Sequence, residues 1–73
     1  MDLARLPLGL DGIVTHVDVD GPLGLRLAEL GLRPGAHVRA THTAAAGARV
    51  LALGADRIAL DRTTCGRVEV VLP

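Results

Sequence analysis

Between Asp20 and Gly35 this chain carries helix punctuation at both ends, more strongly than any other stretch does. Asp20 or Gly21 suits the N-cap, and Pro22 suits the first helical position, where its missing N–H would be unpaired anyway. Leu23, Leu27 and Leu30 then fall at i, i+4 and i+7, which makes one apolar stripe. Gly31 fits the left-handed position just past the last turn, with Leu32 folding back onto Leu27 to cover the helix end. Pro34-Gly35 turns the chain away and prevents continuation. The rest of the chain must build its fold around this one short helix.

That remainder reads as five short strands. Leu3 to Gly12 holds Pro7, Gly9 and Gly12 and is expected to wander before the first strand begins. Ile13 to Val19 alternates, and Ile13, Thr15, Val17 and Val19 make the better core face, with Val14, His16 and Asp18 on the other. Ala36 to His42 places Val38 and Ala40 inward and His37, Arg39 and Thr41 outward. Thr43 to Ala48 is small and featureless, a mobile loop or hairpin tip. Arg49 to Leu53 and Arg57 to Asp61 are joined tightly through Gly54-Ala55-Asp56, with Ile58 and Leu60 inward. Arg62 to Gly66 forms a short turn, at most one helical turn. Arg67 to Leu72 closes the sheet with Val68, Val70 and Leu72 inward. Five antiparallel strands, tight turns and one brief helix predict an all-β fold, a small, highly bent barrel whose closure hides edges open to aggregation.

Composition narrows the function. Seventy-three residues make one domain, spanning 1–73, and Leu, Val and Ile supply 23 of them while Phe, Tyr and Trp are absent. The core is therefore aliphatic, with β-branched side chains filling a tight barrel. Eight arginines balance eight acids and there is no lysine, whereas nucleic-acid modules rely on excess positive charge to displace counterions. The missing aromatics also remove stacking platforms for single strands. Cys65 is the only cysteine, so no internal disulfide is available, which suits a reducing cytoplasm. The N-terminus lacks the features of a signal peptide, and no apolar run approaches the roughly 20 residues of a membrane span. A soluble protein with no direct membrane insertion is expected.

The run Arg26-Leu27-Ala28-Glu29-Leu30-Gly31-Leu32-Arg33-Pro34-Gly35 resembles the signature of the FeoA family, the small ferrous iron transport proteins A. Gly12-Ile13, Ile58-Ala59-Leu60 and Arg67-Val68-Glu69-Val70 follow in the family's order, so the resemblance spans essentially the whole chain. It implies an SH3-like barrel in which Leu27, Leu30, Gly31, Pro34 and Gly35 are structural. For function it implies a cytoplasmic accessory protein of iron homeostasis that binds the cytosolic region of FeoB, a membrane ferrous iron transporter. Related domains end DtxR-type repressors behind a helix-turn-helix. None precedes this barrel, so the resemblance implies the free-standing form. The chain departs from the family at Ala48-Arg49, where Asp-Pro is common, and at Asp61, where a basic residue is common. Both positions are read as solvent-facing, so they bear on the partner surface more than on the fold.

The candidate partner-binding residues are Leu25, Arg26, Glu29 and Arg33. Leu25 lies about 160–200° from the leucine stripe on a helical wheel and therefore points to solvent, beside Arg26 and Glu29. The natural groove lies between the helix and the Thr43 to Ala48 loop. A partner strand added to an incompletely paired edge is a further route to docking. His16, His37 and His42 are weak metal candidates, scattered without ligand spacing, so no cofactor is implied beyond weak transition-metal binding. His37 and His42 point to opposite faces unless a bulge intervenes. Cys65 reads as a small apolar filler. The acids show no paired spacing, there is no serine, and the glycines make no phosphate loop, so a non-enzyme is expected. Two alternatives stay open. One is a metal-responsive SH3-like domain that modulates a partner, and the other, less favoured, a nucleic-acid-binding SH3-like module. Weak self-association through an apolar surface also stays open.

Overall fold

The computed structural model describes residues 1–73. Strands β1 (Asp11–Val17), β2 (His37–Thr43), β3 (Arg49–Leu53), β4 (Asp56–Leu60) and β5 (Val68–Val71) form one antiparallel sheet in the order β4-β3-β2-β1-β5. Helix α1 (Gly21–Glu29) connects β1 to β2, and the single turn α2 (Arg62–Cys65) connects β4 to β5. The β2–β3 hairpin turns through a 3-10 segment, Ala45–Gly47, and β3 meets β4 through the two residues between the Leu53–Asp56 pair.

The five antiparallel strands and the short helix match the sequence reading, but the barrel is not closed by strand pairing. β4 and β5 remain the ends of the sheet. The N-terminal segment pairs with the β5 edge and is tied to β3. Leu3 N–H donates to Val68 O at 2.8 Å, Val70 N–H to Met1 O at 2.7 Å, and Asp2 bridges Glu69. From β3, the Arg49 guanidinium donates through Nη1 to Leu3 O at 2.8 Å and to Leu6 O at 2.5 Å.

Leu3 and Leu6 are fully buried, so the segment expected to wander contributes two of the largest core side chains. They pack with Val14, Leu27, Leu32, Val38, Ala40, Leu51, Leu53, Leu60, Cys65, Val68 and Val70 into one aliphatic cluster. Ile58 is half-buried against it, as its strand pattern predicts.

Three expected orientations are corrected. On β1, Val14 is the core residue, while Ile13 is half-buried and Thr15 exposed. The register against β5 slips between Val14 and His16, a bulge that reverses the alternation, so Val17 and Val19 pack on the core as expected while Ile13 and Thr15 do not. Leu72 lies past the end of β5 and is 46% exposed. Arg49, expected to face solvent, is only 8% exposed.

Candidate functional site

α1 enters from Asp20, whose extended backbone occupies the N-cap although its side chain makes no capping bond, and Pro22 follows in the first turn. Gly24 sits inside the helix, a position where glycine costs about 1 kcal/mol relative to alanine. A Cβ there would come within 2.0 Å of Val19 O, so the helix lies closer to the segment that leads into it than any side chain would allow. The exit closes as a Schellman motif: Leu32 N–H donates to Leu27 O at 2.9 Å and Gly31 N–H to Ala28 O at 3.0 Å, with Gly31 at φ +100°. Gly35 N–H then donates to Val14 O at 2.8 Å and Val14 N–H to Ala36 O at 2.9 Å, which ties the Pro34-Gly35 turn to β1.

This anchoring fixes which face of α1 looks outward. Leu27 is buried and Leu30 half-buried, but Leu23, expected in the same stripe, is 46% exposed. Leu23 lies outside the core cluster, to which Leu27 and Leu32 belong. Leu25 is 65% exposed, the most exposed large apolar side chain of the molecule. Arg26, Glu29 and Arg33 are exposed too. None of the three is ion-paired, because the two salt bridges join Met1 N to Glu69 and Arg39 to Asp11. Leu25, Arg26 and Glu29 therefore share one helix, with Arg33 in the turn that leaves it.

His16, His37 and His42 are all exposed. A bulge between Ala40 and His42 intervenes in β2, and the His42 ring nitrogen Nδ1 lies 2.9 Å from Thr41 Oγ1. No three His, Cys, Asp or Glu side chains converge on one point. Cys65 is fully buried in the core, its Sγ 3.6 Å from Leu60 O. Burial pushes its thiol up to about 11, against the pull of the Arg49 charge. Asp61 is exposed and caps α2, accepting from Thr64 N–H at 3.1 Å and from Thr64 Oγ1 at 2.6 Å. Those bonds, the hydroxyl's first, hold its carboxyl below the ordinary value.

Two grooves escaped the linear reading because residues far apart in sequence line them. One, of about 290 Å³, runs over the outer face of β1 to β4 past Asp11, His37, Arg39, Thr41 and Arg57. The other lies between the N-terminal segment and α2, and Arg5, Arg62 and Arg67 converge on it. Arg49, read from the sequence as solvent-facing, instead shares the inward face of β3 with Leu51 and Leu53.

No curated protein sequence matches the chain at a significant level. Solved structures do. FeoA of Stenotrophomonas maltophilia, complexed with zinc and described as an SH3 domain protein possibly acting as a ferrous iron transport activating factor, is 30% identical, with a TM-score of 0.82 over 97% of this chain and 89% of its own. The Chlorobium tepidum FeoA protein is 25% identical, with a TM-score of 0.91 over 99% of this chain and 70% of its own. Iron(II) transport protein A of Clostridium thermocellum is 27% identical, with a TM-score of 0.89 over 99% of this chain, which spans only 45% of that one. The FeoA domain family model matches residues 1–72, and the chain accordingly belongs to the FeoA family, whose members are associated with ferrous iron transport.

Proposed function

We propose that this protein is an accessory factor of ferrous iron uptake that docks on the cytosolic region of an FeoB-type transporter through the outer face of α1. The supporting observation is Leu25, which stands 65% exposed on a helix whose opposite side is sealed by Leu27 and Leu32. Arg26 and Glu29 on the same helix, and Arg33 in the turn that leaves it, have no intramolecular ion pairs and so remain free to select a partner by charge. The description of the S. maltophilia protein as a possible ferrous iron transport activating factor agrees with such a role. No helix of the molecule is long and apolar enough to cross a membrane, so contact with a transporter would run through a protein surface.

Burying one leucine of this size at an interface contributes roughly 1.5–3 kcal/mol. Leu25→Asp is therefore expected to weaken binding to a purified FeoB cytosolic region by about tenfold or more. Because the side chain faces water, its urea midpoint should stay near that of the parent, within about 0.5 kcal/mol in stability. Calorimetric titration of both proteins measures the difference. An unchanged affinity removes α1 from the docking surface.

A further inference from the structure

The charge of this chain is balanced overall but not locally. Arg5, Arg62 and Arg67, three of the eight arginines, line one groove of about 740 Å³, and Asp2 is the single acid beside them. None of these guanidiniums takes part in a salt bridge or donates a hydrogen bond to another group of the protein. The nearby carboxylates are engaged elsewhere. Asp2 Oδ1 accepts from Arg5 N–H at 3.2 Å, and both oxygens of Asp61 are taken by Thr64. Three guanidiniums and one carboxylate line the groove, which therefore carries a net positive charge.

The walls of this groove are held in place. The N-terminal segment carrying Arg5 is pinned through Leu3 and Leu6 to Arg49 and β5. The aliphatic stem of Arg62 lies against Gly47 of the β2–β3 hairpin, so closely that a Cβ on Gly47 would come within 2.7 Å of the Arg62 Cδ. Gly66 lines the groove without a side chain, and the Thr63 hydroxyl adds a donor. The groove is open to solvent, lined almost wholly by polar residues, and leaves room for more than a single inorganic anion. Guanidinium groups present planar forks that match phosphate oxygens two at a time.

We infer that the groove bounded by Arg5, Arg62, Thr63 and Arg67 binds a phosphorylated small molecule carrying adjacent phosphate groups. The same chemistry is offered by a soluble diphosphate and by the headgroups of an anionic lipid surface, and the experiment separates these sources. Inorganic pyrophosphate titrated into the isotopically labelled full chain at low ionic strength is expected to shift the amide signals of Arg5, Arg62, Thr63, Gly66 and Arg67 saturably. Sulfate at matched ionic strength should shift them less and more weakly. The paired substitution Arg62→Gln with Arg67→Gln should weaken pyrophosphate binding by about tenfold or more. Arg57→Gln, in the groove over β1 to β4, should leave it unchanged, and urea midpoints should show all variants folded. In parallel, co-sedimentation with phosphatidylglycerol vesicles, against phosphatidylcholine vesicles, tests the lipid source. Binding of pyrophosphate alone assigns a soluble ligand, and binding of the anionic vesicles, lost in the paired variant, assigns a headgroup. The inference is overturned if neither probe binds, if sulfate binds equally well, or if the paired variant retains full affinity.

Discussion

A guanidinium that keeps only 8% of its residue surface in water must find acceptors for its N–H groups inside the protein. Arg49 finds them in Leu3 O, Leu6 O and Thr43 Oγ1, and no buried side-chain donor is left unpaired. Its contribution therefore lies in satisfying two main-chain carbonyls that would otherwise be buried without partners. Each such orphan costs about 1–3 kcal/mol. Arg49→Met, which keeps most of the apolar stem, is accordingly expected to lower stability by about 2–4 kcal/mol. Urea unfolding followed by far-ultraviolet circular dichroism measures this, and a loss below about 0.5 kcal/mol, the range of an ordinary surface change, would remove the latch. The sequence conceals this role because a strand-position arginine reads as outward by chemistry, and only the fold brings carbonyls from 43 and 46 residues away to meet it.

Among the elements, those set by local chemistry were legible and those set by pairing were not. α1 was readable because its cap residues act within a few positions: Leu27, Gly31 and Leu32 make the Schellman closure wherever the helix is placed. β1 was misread in its first half because its phase depends on a bulge. The bulges of β1 and β2 share a device. Thr15 Oγ1 donates to Glu69 O at 3.3 Å, and Thr41 Oγ1 donates to Val50 O at 3.2 Å, each from the residue that the ladder skips. α2 yields a prediction with a sign. Folding lowers the Asp61 carboxyl below its ordinary 3.8, so its ionised form favours the folded state above that pH. Asp61→Ala should lower the urea midpoint at neutral pH. The gap from the parent should narrow as the pH falls below 3.8 through the folded-state value, where the parent's carboxyl also becomes neutral. A gap independent of pH would show that the cap acts without its charge.

For the whole molecule, the fold class followed from pattern, while the seam did not. Leu3 and Leu6 are three residues apart, a helical spacing, but Pro7, Gly9 and Gly12 just after them break a helix and resemble a loop. Their burial is tertiary, and so is the candidate docking face, whose Leu25 was legible only because α1 was. A 73-residue domain has roughly 4–11 kcal/mol of stability in total. Each of these two leucines contributes roughly 1.5–3 kcal/mol of it. A chain lacking residues 1–6 also leaves Arg49 without its acceptors, and it is expected to show no cooperative urea transition at 25 °C. A sharp transition near the parent midpoint would mean that the sheet stands without its strap.

Leu3 meets Val68 across 65 positions, and this bears on the order in which the molecule can form. On a ribosome the first leucines emerge early and find no home until the final strand has followed them out. The opening segment can settle only with β5 or after it, and until then its leucines and the sheet border they cover stay in open solvent.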